Sequence, residues 1–169
     1  MKITLAKRAG FCFGVDRAVN TVYDLLADNK KVATLGPIIH NEQMVDELAK
    51  KGVVVVDDPL NTPENYTLVI RSHGVSKEVY DRAKKSGVEL KDATCPFVSK
   101  IHKIVNDNSE NGDVIFIAGD SSHQEVIGII GHIKGEYYVF SDTYELEEIF
   151  KNHPELKKKS VSAVSQTTF

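Results

Sequence analysis

The chain has 169 residues, 41% hydrophobic and 27% charged, proportions that suit a globular protein with room for one large domain or two small ones. A formal net charge of −3, with Lys, Arg, Asp and Glu intermixed, offers no basic face for nucleic acid and no polybasic tail for a membrane surface. The opening MKITLAKRAGF carries charge where a secretory signal needs an apolar core, and no later run is long and apolar enough to span a bilayer, so a cytoplasmic protein is expected.

In chain order, short apolar runs alternate with helical patterns: KITLA, KVATL, GVVVV, YTLVIRS, GVELKDA, DVIFIAG, EYYVF and SVSAVSQ. Their richness in Val and Ile suits strands buried on both faces, and the alternation predicts α/β architecture built on parallel sheets. After KITLA comes GFCFGVDRAV, with Cys12 at the turn before a helix expected to begin near Asp16. A free cysteine is by default a small core hydrophobe. In a reducing compartment, however, Cys12 and Cys95 are free, catalytic or metal-bound rather than joined in a structural disulfide.

Three stretches can be overlaid, beginning VATLGPIIHNEQ, LVIRSHGVSKEV and VIFIAGDSSHQEV. Each runs from a strand through a turn to a histidine (His40, His73, His123), then to a helix, a glycine expected to close it (Gly52, Gly87, Gly135), and a second strand. The pattern suggests related βαβ units. Cys95 follows GVELKDA in the same way, with Pro96 suited to a first helical position, so a boundary is expected near Cys95. The loop DDPLNTPENY reads as a surface connection.

Ligands of parallel α/β sheets collect beyond the carboxyl ends of the strands. Cys12, His40, His73, Cys95 and His123 all fall at such places. Thiolates suit zinc or an iron–sulfur cluster, while imidazoles with hydroxyls from Ser72, Ser76, Ser121, Ser122, Thr167 and Thr168 suit a phosphorylated ligand. Glu125, just beyond His123, serves either as a first-turn acidic residue or as a proton donor at the same turn. His102 reads as a packed or partly exposed helix residue, His132 as part of the helix after His123, and His153 as surface. HQE matches the start of a zinc deaminase signature, but no P-C-x-x-C follows; a phosphate-binding G-x-G-x-x-G or P-loop is also missing. Zinc binding by the cysteines with one or two histidines, or a non-catalytic phosphate-ligand module with buried cysteines, remain open readings.

The ordered motifs GFCFGVDRAV, IIHNEQMVDEL, RSHGVS, DATCPFVSKIH, GDSSHQEVIGIIGH and SQTT closely resemble the LytB-type reductases of 4-hydroxy-3-methylbut-2-enyl diphosphate, which end the non-mevalonate isoprenoid pathway. The resemblance implies small α/β units around a central iron–sulfur cluster, most simply [4Fe-4S], fed by an electron donor such as ferredoxin or flavodoxin. It implies Cys12 and Cys95 as cluster ligands, His40, His73 and His123 as diphosphate ligands, Glu125 as proton relay, and Thr167 as a residue ordering the departing hydroxyl. It also implies a first unit over residues 1–95 and a second over 96–169. A third unit, carrying the third cysteine and a Ser-x-Asn element, is expected to lie outside these residues, leaving the chain alone a poor cluster holder.

Overall fold

The computed structural model describes residues 3–4 and 9–169. The strand expected over KITLA rests on residues outside that set. The first sheet contains β1 (Lys31–Leu35), β2 (Val54–Val56), β3 (Tyr66–Ile70) and β4 (Glu89–Asp92), in the order β2-β1-β3-β4 with every pairing parallel. The central strands β1 and β3 are buried along almost their whole length, as their unbroken apolar character predicts. Alternate residues serve opposite faces. Val32 and Val69 pack with Ala18 and Val22 of α1 (Phe13–Ala27) and Leu48 of α2 (Glu42–Lys50). Ala33, Leu35, Leu68 and Ile70 pack with Ala83 of α3 (Lys77–Lys85).

The second sheet contains β5 (Val114–Ala118), β6 (Tyr137–Phe140) and β7 (Val161–Ser165), in the order β6-β5-β7, again all parallel. Ile115 and Ile117 meet Val105 of α4 (Pro96–Glu110) and Val126 and Ile129 of α5 (Gln124–Ile130). On the other face Phe116 stacks on Phe150 of α6 (Thr143–Asn152), with ring centroids 5.3 Å apart. Truncating a fully buried residue such as Ile117 to alanine should cost about 2–5 kcal/mol.

The repeat seen in the sequence has a structural counterpart. The Gly36 N–H donates to the Val56 carbonyl at 2.8 Å, and the Gly119 N–H donates to the Phe140 carbonyl at 2.9 Å. These equivalent bonds open the two turns that end in His40 and His123. Three contacts join the sheets across a seam: Lys77 N–H to the Gly131 carbonyl at 3.3 Å, His132 Nε2 with the Val75 carbonyl at 3.0 Å, and Arg71 to Gln124 at 2.7 Å.

Several sequence expectations are corrected. The first helix begins at Phe13 rather than near Asp16, because Cys12 takes the extended N-cap conformation and leaves Asp16 in the first turn, where the helix dipole favours a carboxylate. Gly52 and Gly87 do follow their helices with φ of 89° and 77°. Gly135 does not: α5 stops at Ile130 with Gly131 as its cap, and Gly135 bends the chain into β6. Gly128 and Gly131 are weak helix formers, and Gly131 is needed where Ser76 crowds against it. His132 therefore lies beyond the helix.

Candidate active site

The turns after β1, β3 and β4 are tied together by backbone. Ser72 donates both its N–H, at 3.3 Å, and its hydroxyl, at 3.2 Å, to the Ile38 carbonyl, while the Cys95 N–H donates to the Ser72 carbonyl at 2.9 Å. These bonds place His40, His73 and Cys95 on one rim. α1 is fastened to the same rim by Arg17, which donates to the Thr94 carbonyl at 2.9 Å. Its first turn approaches Cys95 closely because Gly14 has no side chain; a β-carbon there would stand 2.5 Å from Cys95 Sγ. Cys12 and Cys95 are the N-caps of α1 and α4, and neither side chain makes a capping hydrogen bond. Both are free thiols.

Across the seam, His123 completes an imidazole cluster. Ring centroids lie 4.5 Å apart for His40 and His73, 5.4 Å for His40 and His123, and 5.6 Å for His73 and His123. Burial, then the neighbouring histidines, then the Arg71 charge push His73 down to about 4; burial and the same kind of neighbours lower His40. His73 Nδ1 is buried without a partner, which marks a donor or acceptor reserved for something the protein itself does not supply. His123 Nδ1 accepts the Glu125 N–H at 3.1 Å, so its Nε2 carries the proton and can donate while the ring is neutral.

Glu125 is 1% exposed. Its two carboxylate oxygens accept the Thr167 N–H at 2.6 Å and the Thr167 hydroxyl at 2.8 Å. The first-turn position alone does not account for this pairing, which draws the turn after β7 onto the start of α5. Gln166 reinforces it by accepting the Asp120 N–H at 3.1 Å.

Of the hydroxyls expected to line an anion cradle, Ser72 is spent on the Ile38 carbonyl, Ser76 caps α3, and Ser122 binds Asp120. Each satisfies local backbone or turn needs first. Thr168 accepts from Gln166 Nε2 at 3.1 Å, and Ser121 is exposed. His102 is buried and stacks on His132 with centroids 4.1 Å apart. His153 lies at the surface as expected, its side chain 43% exposed with one side of the ring against Tyr138. Arg71, inside RSHG, and Gln124, inside HQE, escaped the sequence reading; an arginine ending an otherwise apolar strand was the available signal.

The chemistry of the donors suits a cysteine-held iron–sulfur cluster. Both thiols are uncapped at the starts of α1 and α4, Gly14 lets the first turn of α1 come up to Cys95, and Cys12 and Cys95 are the residues that would hold it. Free thiols, an imidazole cluster and a buried carboxylate thus lie at turns and helix starts that follow the strands of two parallel sheets, which defines the molecule as an α/β protein with its reactive side chains at strand ends.

A profile of the LytB protein family matches residues 3–169. The chain belongs to that family. It is 46% identical over 172 residues to the 4-hydroxy-3-methylbut-2-enyl diphosphate reductase of Thermoanaerobacter sp. (strain X514), covering 99% of this chain and 58% of the relative. Against the same-named protein of Alkaliphilus oremlandii (strain OhILAs), identity is 43% over 151 residues, with 88% and 54% covered. The solved reductase structure from Plasmodium falciparum superposes with a TM-score of 0.84 at 30% identity, covering 96% of this chain and 50% of that one. A second solved structure, described as the terminal enzyme of the non-mevalonate pathway, gives a TM-score of 0.74 at 33% identity, covering 96% and 66%. The chain therefore spans a little over half the length of the curated relatives it matches.

Proposed function

We propose that this chain is the substrate-holding portion of a 4-hydroxy-3-methylbut-2-enyl diphosphate reductase and supplies two thiolates, Cys12 and Cys95, to an iron–sulfur cluster of [4Fe-4S] type. Residues 1–95 and 96–169 form two units of the enzyme, with a third beyond them. The observation that carries this reading is the backbone bond from Cys95 to Ser72, which couples the thiol rim directly to the imidazole cluster at His73.

The reaction replaces an allylic C–O bond by C–H: two electrons and two protons enter, and the hydroxyl leaves as water, giving isopentenyl and dimethylallyl diphosphates. The bound cluster supplies the electrons and Lewis acidity, replenished by a donor such as ferredoxin or flavodoxin in the cytoplasm. His40, His73 and His123 hold the diphosphate, so binding energy from the remote anionic end orients the reacting end. The Glu125 carboxylate, in contact with the Thr167 hydroxyl, relays protons with it toward the departing oxygen.

A zinc-binding reading draws support from the histidines, whose ligand atoms lie within 4.8 Å of one another. Zinc would hold its nitrogens at about 2.0–2.1 Å and have each imidazole pass its second proton to an acceptor. His73 Nδ1 has no partner and His123 Nδ1 is itself an acceptor, which favours an anion. Anaerobic reconstitution tests the proposal: a protein of the relatives' full length should take up iron and acid-labile sulfide and absorb in the visible. Stoichiometric zinc in a colourless protein, without iron or sulfide uptake, would refute it.

A further inference from the structure

Arg71 lies two residues before His73, and its guanidinium reaches both of the other histidine-bearing turns. One terminal nitrogen donates to Gln124 Oε1 at 2.7 Å, immediately after His123. The other packs against Gly36, which opens the turn to His40 with φ of 70° and leaves the space a β-carbon would fill. Arg71, Gln124, Gly36, His40 and His73 share the lining of one cleft of about 530 Å³.

The bond to Gln124 gives the side chain a place in the seam but leaves its charge unmatched. Among the described residues no carboxylate pairs with Arg71, and its Nε is buried without a partner. Asp57, on the rim of the same cleft, acts on it only through longer-range attraction. A largely buried charge lacking a counter-ion is costly unless an anion arrives to complete it. A planar fork can also span two turns at fixed angles, which a lysine cannot.

We propose that Arg71 is the positioning residue that locks the His40, His73 and His123 turns into a single anion cradle through Gln124 and Gly36. The proposal rests on the anion-binding reading of the histidines.

Calorimetric titration of the chain with inorganic pyrophosphate, beside denaturant unfolding of every variant, tests it. Arg71→Met should weaken binding tenfold or more with an unfolding midpoint close to that of the parent. Arg71→Lys should fail to restore affinity, Gln124→Glu should retain most of it, and Arg71→Met with Gln124→Ala should be no weaker than Arg71→Met alone. The ring-nitrogen NMR signals of His40 and His123 should move in Arg71→Met although neither residue is altered. Parent-like affinity in Arg71→Met, or losses that add independently in the double variant, would overturn the role of Arg71 while leaving the cradle intact. Pyrophosphate binding unaffected by His40→Ala and His73→Ala would instead overturn the cradle and the proposal with it. If Arg71→Met proves unfolded, the Gln124→Ala and Gln124→Glu pair decides: affinity lost in the first and kept in the second supports the lock, and equal affinity in both refutes it.

Discussion

The Glu125 carboxylate grips Thr167 with both oxygens, one on its N–H at 2.6 Å and the other on its hydroxyl at 2.8 Å. A buried carboxylate with a hydroxyl in contact is a ready path for a proton, and the contact is made between residues 42 positions apart. Thr167→Val keeps the shape and the backbone bond but removes the hydroxyl. In a protein of the relatives' full length, Glu125→Gln should reduce kcat by about 10²–10⁴-fold, with pyrophosphate affinity changed only a few-fold. Thr167→Val should reduce kcat by a smaller factor. Undiminished kcat in both variants would remove the relay.

Gly14 offers a steric test of the thiol rim. Gly14→Ala places a methyl 2.5 Å from Cys95 Sγ, and the helix start cannot yield without moving Cys12. Iron and acid-labile sulfide retained after reconstitution should fall several-fold, while pyrophosphate binding at the histidines persists. Full cluster loading in Gly14→Ala would mean that the thiols meet elsewhere.

The histidine cradle should take up protons when it binds an anion. His73 is held down to about 4 by burial first and by neighbouring positive groups second, so it is neutral in the free protein near pH 7. An anion favours the charged ring and raises its bound-state pKa, so affinity should rise as pH falls between the bound and free values and level off below about 4. Sulfate keeps its charge over this range and is the suitable probe. Calorimetry in buffers of different ionisation heat should report net proton uptake, and proton release would contradict the assignment.

His102 should make the fold acid-sensitive. Burial, then His132, lowers it to about 4, with Asp92 opposing. Since the folded-state pKa lies below the unfolded value of about 6.5, this stabilising contribution is complete above that value. It is lost as pH falls toward about 4. Denaturant midpoints at pH 7 and pH 5 should converge in His102→Asn relative to the parent, even if the variant is weaker at both. An identical decline in the two proteins would place the acid sensitivity elsewhere.

Much of the architecture was legible in the sequence because strands such as VATL and VIFIA carry their burial in their composition, and because His40, His73, His123 and Cys95 sit at strand ends where parallel sheets gather ligands. Local choices between equivalent partners were less legible. Ser72 and Ser76 were as apt for a phosphate as for a carbonyl or a helix cap, and only the fold shows the nearer backbone claiming them. The stacking of His102 on His132, within the second unit, and the bond from Arg71 to Gln124, across the seam, join residues 30 and 53 positions apart, where no periodicity reports. Gly135 was misplaced because a glycine after a helix and a glycine before a strand look alike until the helix end is seen.

Turnover of 4-hydroxy-3-methylbut-2-enyl diphosphate, followed anaerobically with a chemical reductant, most directly tests whether one rim unites the two thiols with the histidine cradle. In a protein of the relatives' full length, Cys12→Ser and Cys95→Ser should each abolish reduction while pyrophosphate affinity stays within a few-fold of the parent, and His73→Ala should show the opposite order of losses, with affinity falling first. Sustained reduction after both thiols are replaced would contradict the account.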